Sequence, residues 1–375
     1  MKRLLILLAA ASLIVLGAFG EHLLNSGTPG QAAAAKARTT VNTSVETASY
    51  APSTSASISA AAIDSATEHA YAVASQSVVY VSNVGVGTGS GVIYDTQGDI
   101  VTNEHVVQGA STLKVTLANG QTYSATLVGT DAADDLAVIR IHASGLTPAT
   151  FAGNGTFHVA QTVLAIGSPL GLKNSVTSGL ISGLGRVEQE PNGAYLPNAI
   201  QTSAPINPGN SGGALVTLNG VVVGMPTLEQ TASSNGTSAQ AIGFAVPSTR
   251  ITAIANQIIA SGKVQHTGRA YMGITPTDST DQQTPSFGFG GGFGGGNTPT
   301  VNGAVVSQIS ANGPAAQAGV QQGDTITSAG GQTISNAQDL LTILAQKKPG
   351  DTLTLQLNRN GSTLTVHVHL GELPA

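Results

Sequence analysis

Gln201-Thr-Ser-Ala-Pro-Ile-Asn-Pro-Gly-Asn-Ser-Gly-Gly-Ala-Leu215 sets Ser211 among glycines, with Gly209 two residues before it and Gly212 directly after it. A serine hydroxyl is a useful nucleophile only when a base takes its proton and donors stabilise the resulting oxyanion. Glycines let the backbone turn tightly and allow a substrate to approach it closely. The pattern Gly-x-Ser-x-Gly also marks the nucleophile of α/β-hydrolases. Ser211 therefore has to be interpreted together with the rest of the chain.

Composition narrows the classes of protein that the chain can belong to. Its 375 residues are enough for two or three domains. Charged residues make up only 9% of the chain, and the net charge of −5 lacks the basic character expected for nucleic-acid binding. The absence of cysteine excludes disulfides, thiol catalysis and cysteine-ligated zinc.

The N-terminal sequence predicts export from the cytoplasm. Lys2 and Arg3 precede an apolar run over residues 4–19 that only Ser12 interrupts. We expect residues 1–20 to be a signal peptide or an N-terminal membrane anchor, and both alternatives stay open because a full span needs ~20 residues. Residues 21–67 are rich in Ala, Ser and Thr, which predicts a disordered linker.

Short β-branched runs fill the chain from residue 77 to residue 246. Turn signals such as Asn119-Gly120 and Asn219-Gly220 separate them. Many short strands with turns between them predict an antiparallel barrel or sandwich, and they argue against alternating βαβ units. Directly after these runs, residues 248–261 predict the only helix of this first part of the chain, because isoleucines recur on one face and Gly262 follows.

A second module starts near residue 269. A Phe/Gly-rich stretch at 284–299 is low in complexity and predicts a loop outside any packed core. After it the pattern predicts a strand at 303–309, a short helix, a strand near 324–328, a helix at 335–345 and two closing strands. This order is typical of a small α+β domain.

A nucleophilic serine needs a base and a carboxylate that orients the base. His105 follows one predicted strand, and Asp135 directly precedes another, so the order along the chain is His, Asp, Ser. An α/β-hydrolase would need the order Ser, acid, His on a parallel sheet. A subtilisin-like order would need an acid such as Asp99 before His105, again on an α/β sheet. The strand pattern disfavours both. We interpret Asp131 and Asp134 as solvated turn residues.

Three motifs then carry a family resemblance. Thr102-Asn-Glu-His-Val-Val107, Asp135-Leu-Ala-Val138 and Asn207-Pro-Gly-Asn-Ser-Gly-Gly-Ala-Leu215 resemble the three catalytic motifs of the HtrA/Deg proteases. The resemblance extends over roughly residues 77–370. It implies a mainly β fold, in which a chymotrypsin-like double β-barrel protease domain is followed by a small α+β PDZ domain. The implied boundaries are 68–263 for the protease domain and 268–372 for the PDZ domain.

The resemblance also implies roles for individual residues. Ser211 would attack the peptide carbonyl, His105 would move the proton, and Asp135 would orient the imidazole. Backbone N–H groups around the serine would form the oxyanion hole, and the substrate pocket would lie just before it. The implied oxyanion-hole residues are Gly209, Asn210 and Ser211, and the implied pocket residues are Pro205 and Ile206. A pocket without a carboxylate implies cleavage after small or medium aliphatic residues.

The PDZ-like module implies a second binding site. Tyr271-Met272-Gly273-Ile274 resembles the loop that binds a peptide C-terminus through backbone N–H groups. We therefore expect an ATP-independent extracytoplasmic endopeptidase for unfolded or damaged proteins, secreted, periplasmic or anchored in a membrane facing outward. The expected partners are protein substrates, peptide C-termini and copies of the chain in a homotrimer or larger oligomer. We expect no nucleic acid, no cofactor and no metal, since His367 and His369 lack a nearby carboxylate partner. The alternative is a peptide-binding chaperone or scaffold with little proteolysis.

Overall fold

The computed structural model describes residues 59–168, 175–189, 195–207, 209–229, 242–279 and 301–374. The expected signal or anchor segment at 1–20, most of the expected linker and the Phe/Gly-rich stretch lie outside these residues. Within them, no helix is long and apolar enough to cross a membrane.

Two closed six-stranded barrels form the first part of the described chain. The first barrel has the strand order β1-β2-β3-β6-β5-β4. Its strands are β1 (Val78–Asn83), β2 (Gly87–Ile93), β3 (Asp99–Thr102), β4 (Leu113–Thr116), β5 (Thr122–Asp131) and β6 (Leu136–Ile141). The second barrel has the order β10-β11-β12-β9-β8-β7. Its strands are β7 (Thr162–Gly167), β8 (Ser175–Gln189), β9 (Tyr195–Thr202), β10 (Ala214–Thr217), β11 (Val222–Glu229) and β12 (Gly243–Pro247). All ladders within the barrels are antiparallel, which confirms the mainly β, double-barrel fold class.

Side chains alternate between the two faces of each strand. One face fills the interior of the strand's own barrel, and the other packs in a layer between the two barrels. On β1, Val79 and Val81 point into the first barrel, whereas Val78 joins the layer between the barrels. Leu164 and Ile166 of β7 reach the same layer from the second barrel. Each fully buried aliphatic side chain contributes roughly 1.5–3 kcal/mol relative to an exposed one. The layer therefore fixes the two barrels against each other.

Helices cover the layer between the barrels. The helix α3 (Ser248–Ser261) buries Ile251, Ile254 and Ile258 there and ends at Gly262, as the sequence predicts. A shorter helix, α2 (Glu104–Val107), follows β3 and had no sequence signal of its own.

The predicted linker is wrong over its last residues, because the helix α1 (Ala60–Ala74) begins inside it. Ser59 caps this helix by accepting a hydrogen bond from the Ala62 N–H at 3.2 Å. Alanine has the highest helix propensity, and Ala70 and Ala74 are buried against the layer between the barrels. The small side chains hide the amphipathic pattern in the sequence, but they allow close packing.

The C-terminal part is a separate small α+β domain with its own core. Its main sheet runs β14-β15-β16-β18-β19, with β17 paired to β16, and β13 pairs with β20. The strands are β13 (Ala270–Tyr271), β14 (Ile274–Asp278), β15 (Ala304–Ile309), β16 (Thr325–Ala329), β17 (Gln332–Thr333), β18 (Thr352–Arg359), β19 (Ser362–His369) and β20 (Gly371–Glu372). Two helices, α4 (Pro314–Gln317) and α5 (Ala337–Ala345), pack on the sheet. The predicted order of strands and helices agrees with this arrangement.

Candidate active site

His105 and Asp135 form a close pair at the junction of the barrels. The imidazole Nδ1 lies 3.0 and 2.9 Å from the two carboxylate oxygens of Asp135, and the His105 backbone N–H donates to Oδ1 at 3.0 Å. The His105 side chain is 46% exposed, whereas the Asp135 side chain is only 3% exposed. Because Nδ1 is directed to Asp135, Nε2 is the ring nitrogen that can exchange a proton with another group.

Asp135 is itself held in a strained position. Its φ of 49° lies in the left-handed region, which non-glycine residues adopt only when their surroundings fix them. Asn103 Nδ2 donates to the Asp135 carbonyl at 2.9 Å, and the Thr227 hydroxyl donates to carboxylate Oδ2. Thr227 comes from β11 of the second barrel, so the sequence motifs gave no signal for it.

The loop that carries Ser211 is attached to β2. The Ser90 N–H donates to the Ser211 carbonyl at 2.9 Å. A side chain at Gly89 would lie 2.7 Å from Val106 and 3.2 Å from the Ser211 carbonyl oxygen. Val106 follows His105 on α2, so only a glycine at position 89 lets α2 and the serine loop approach each other. The structure thus brings all three candidate residues to one junction.

The turn around Ser211 contains two backbone N–H groups that have no acceptor among the described residues. The Asn210 N–H donates to the Asn207 carbonyl at 2.9 Å, and the Asn210 carbonyl accepts from Gly213 N–H at 2.9 Å. In the described parts of the chain, the N–H groups of Gly209 and Ser211 donate to no protein acceptor. Of the three expected oxyanion-hole residues, two therefore present an available N–H, and Asn210 uses its own within the turn.

The two expected pocket residues are placed differently. Pro205 is exposed, and its carbonyl accepts from the Thr177 hydroxyl at 2.8 Å. Ile206 is 3% exposed and packs in the core of the second barrel, where Gly243 leaves room for it. Their roles in the substrate pocket stay predictions, and the structure assigns Ile206 mainly to the core.

Asp131 and Asp134 are buried, so their interpretation as solvated turn residues is wrong. Arg250 of α3 donates to Asp134 Oδ2, and an Arg269 guanidinium nitrogen lies 3.8 Å from Asp134 Oδ1. Burial, then the charge of Asp134 and a hydrogen bond to it, together raise the pKa of Asp131 to about 7, although Arg250 opposes the shift. The pair gave no sequence signal because both arginines come from distant positions.

Glu104, next to His105, has a pKa that is raised for similar reasons. Burial and then the charge of Asp135 raise its pKa, while the His105 charge lowers it.

The loop Tyr271–Ile274 joins β13 to β14 at the edge of the C-terminal domain. The Met272 carbonyl accepts from Ala315 N–H at 2.9 Å, and the Gly273 carbonyl accepts from Ser310 N–H at 2.8 Å. Among the described residues, the N–H groups of Met272 and Gly273 donate to no protein acceptor. The carbonyls thus face the domain, and two donors stay available.

An apolar cavity of about 340 Å³ lies beside this loop. Ile274, Leu340 and Leu344 line it from β14 and α5, and Ala133 and Tyr195 line it from the barrel side. Arg269 also donates to the Ala133 carbonyl at 3.0 Å. The cavity therefore lies next to the turn that carries Asp134 and Asp135.

No group of three His, Asp or Glu side chains in the described ranges could hold a metal ion. His367 and His369 are exposed on β19, and His367 Nδ1 lies 3.0 Å from the Thr354 hydroxyl.

Two family descriptions match parts of the chain. Residues 89–225 match a trypsin-like peptidase domain, and residues 270–370 match a PDZ domain. The serine endoprotease DegS of Escherichia coli strain K12 is 37% identical over 314 residues, which cover 80% of this chain and 84% of that protein. A Pseudomonas savastanoi pv. phaseolicola protein named "Probable periplasmic serine endoprotease DegP-like" is 38% identical over 76% of this chain and 56% of its own length.

A solved structure gives the same result for the fold. The HtrA-type protease AlgW with a tripeptide aligns with a TM-score of 0.59 and 32% identity, covering 82% of this chain and 97% of that chain. The matches span both domains, in the order that the barrels and the α+β domain have here. The chain belongs to the HtrA/DegS family of serine endoproteases, which combine a trypsin-like peptidase domain with a PDZ domain.

Proposed function

We propose that this endoprotease cleaves unfolded or damaged proteins outside the cytoplasm without ATP, with His105, Asp135 and Ser211 as its catalytic residues. The observation that carries the proposal is the buried Asp135 carboxylate, which holds the accessible His105 imidazole beside the serine loop. Acyl transfer by serine and histidine consumes no nucleotide.

The proposed mechanism gives each group one step. His105 Nε2 takes the Ser211 hydroxyl proton while Oγ attacks the scissile carbonyl, and the Asp135 carboxylate stabilises the imidazolium that forms. The available N–H groups of Gly209 and Ser211 stabilise the oxyanion. The imidazolium then protonates the leaving amine, and water attacks the acyl-enzyme by the same route.

The substrate preference and the setting are parts of the same proposal. Pro205 and Ile206 offer no negative charge before Ser211, which favours small or medium aliphatic residues over Lys or Arg at the position before the cut. The basic and apolar N-terminal sequence supports an extracytoplasmic location, and the name of the DegP-like relative specifies the periplasm for that protein. We further propose a homotrimer or larger homo-oligomer, as the family resemblance implies.

Casein degradation tests the catalytic proposal. Ser211→Ala should lower turnover by a factor on the order of 10⁶, because loss of the nucleophile disables the whole triad. Ser182→Ala is the matched control, since Ser182 is exposed on β8, and it should cleave like the wild type. Cleavage that survives Ser211→Ala would contradict the assignment of Ser211 as the nucleophile.

We also propose that the Tyr271–Ile274 loop binds peptide C-termini. Its free N–H groups suit a carboxylate, and the adjoining cavity suits an apolar final side chain. The related AlgW structure was solved with a tripeptide. In fluorescence anisotropy, a peptide that ends in a free carboxylate should bind at least about 10-fold more tightly than its C-terminal amide. Equal binding of the two peptides would contradict this role.

A further inference from the structure

Ser90 connects both barrels to the loop that carries Ser211. It lies on β2 of the first barrel and is fully buried. Its hydroxyl donates to the Gly209 carbonyl at 2.5 Å and accepts from the Ser168 N–H, just after β7, at 2.8 Å. One hydroxyl therefore links the two barrels at the serine loop.

The backbone of Ser90 holds a second point of the same loop. Its N–H donates to the Ser211 carbonyl at 2.9 Å, and its carbonyl accepts from the Thr102 hydroxyl at 2.7 Å. Ser90 is thus fixed by β3 and contacts the carbonyls of both Gly209 and Ser211. These two residues carry the available N–H groups of the turn.

Fixing the Gly209 carbonyl fixes a whole peptide plane. The Gly209 carbonyl and the Asn210 N–H belong to one planar peptide unit. Ser90 holds its oxygen, and the Asn207 carbonyl accepts from its N–H at 2.9 Å. Gly209 has a φ of 105°, and glycine has other conformations within easy reach. The hydrogen bonds from Ser90 and to the Asn207 carbonyl therefore select one orientation of the loop from the several that its glycines allow.

The two peptide units whose carbonyls Ser90 binds lie on either side of the oxyanion-hole donors. The Ser211 N–H lies on the peptide between the unit that Ser90 holds at Gly209 and the unit that it holds at Ser211. The Gly209 N–H is attached to the Cα that begins the first of these units. An oxyanion hole works because its donors already point to the developing charge. Rotation of these two peptide units would turn the donors away from the developing charge.

We propose that Ser90 is a positioning residue for the oxyanion hole, whose hydroxyl holds the Gly209–Asn210 peptide in the orientation that catalysis needs. This inference rests on the proposed role of Ser211. Ser90 acts through the loop and does not touch the substrate. It should therefore affect the stabilisation of the transition state and leave substrate binding largely unchanged.

The test compares Ser90→Ala with Ser248→Ala in the full chain. Ser248 is also fully buried, and its hydroxyl donates to the Ala152 carbonyl at 2.9 Å, away from the serine loop. Both variants thus lose a buried hydrogen bond from a serine hydroxyl to a backbone carbonyl, and Ser90→Ala also loses the hydrogen bond that the Ser90 hydroxyl accepts from the Ser168 N–H. Steady-state kinetics on a peptide substrate give kcat and KM, thermal unfolding gives stability, and inhibition by a peptide aldehyde reports the oxyanion hole directly.

Ser90→Ala should lower kcat by about 10-fold or more, less than the loss of a hole donor itself. KM should change by no more than about twofold, and the affinity for the aldehyde should fall in parallel with kcat. Ser248→Ala should keep both kcat and aldehyde affinity. If Ser90→Ala does not fold, Ser90→Cys provides a second variant of similar size and weaker donor strength, with a smaller loss in the same direction.

Unchanged kcat in Ser90→Ala, or lower kcat with unchanged aldehyde affinity, would overturn the inference. So would an equal loss in Ser248→Ala, because it would show a general effect of stability. Cleavage that survives Ser211→Ala would contradict the proposed function itself. Failure of the proposed function can therefore be told apart from failure of the inference about Ser90.

Discussion

At the scale of single residues, the proposed catalytic pair of His105 and Asp135 depends on side chains that the motifs do not contain. Thr227 donates to Asp135 Oδ2 from the second barrel, and Asn103 holds the Asp135 backbone at a φ of 49°. A carboxylate that accepts a hydrogen bond from a fixed hydroxyl has one orientation toward His105. The pair is therefore built by both barrels, although both of its members come from the first.

We expect Thr227→Val to lower kcat/KM by about 10-fold, because it removes a charge-assisted hydrogen bond worth roughly 1.5–3 kcal/mol. Thr227→Ser keeps the hydroxyl and should retain most of the activity. Peptide hydrolysis by the two variants, measured beside the wild type, checks this expectation. Equal activity of the Val and Ser variants would show that the hydroxyl does not support Asp135.

At the scale of elements, the sequence predicts what repeats locally and misses what depends on distant partners. The strands and α3 follow from β-branched runs, turn signals and the spacing of Ile251, Ile254 and Ile258. The helix α1 was missed because its buried face is made of alanines. The motifs predicted His105, Asp135 and Ser211 as a set, and the structure brings them to one junction. They could not predict Ser90 or Thr227, since hydroxyls become informative only when the fold supplies their acceptors.

The end of α3 gives a prediction at this scale. Gly262 has a φ of 73° and donates its N–H to the Ile258 carbonyl at 2.7 Å, so it is a left-handed C-cap. Gly262→Ala should destabilise the protein by about 1 kcal/mol, since a Cβ is unfavourable in this conformation. Gly153→Ala is the control, because Gly153 is exposed, lacks a positive φ and has open space around it.

Urea unfolding gives the free energy of unfolding of both glycine variants. Gly153→Ala should stay within about 0.5 kcal/mol of the wild type. Equal stability of the two variants would contradict the role of Gly262 as a cap.

At the scale of the whole molecule, the buried charges join the protease domain to the PDZ domain. Arg269 precedes β13 and contacts the turn that carries Asp134, and Arg250 reaches the same carboxylate from α3. Burial lowers the pKa of Arg269, while the charge of Asp134 raises it. Asp131, Asp134 and the two arginines form one network beside Asp135, the proposed catalytic carboxylate.

This network predicts a pH dependence of stability. The folded state raises the pKa of Asp131 from 3.8 to about 7, so between these values it binds a proton that the unfolded chain has released. The group therefore makes the folded state less stable as the pH rises through this window. Asp131→Asn removes this titration. The stability of the variant relative to the wild type should therefore increase from pH 5 to pH 8, by a few kcal/mol at most.

Urea unfolding at several pH values checks this prediction. Asp64→Asn, at an exposed position on α1, is the control and should follow the wild type at each pH. A constant difference between Asp131→Asn and the wild type from pH 5 to pH 8 would contradict the assignment of a raised pKa to Asp131.

The most direct measurement of the catalytic claim is covalent labelling with a fluorophosphonate probe, mapped by mass spectrometry. Such a probe reacts with a serine whose hydroxyl is activated by a base and whose oxyanion is stabilised. The geometry predicts a single adduct on Ser211, formed by the wild type and lost in His105→Ala. An adduct on another serine, or labelling of Ser211 that is unchanged in His105→Ala, would contradict the claim that these residues form the active site.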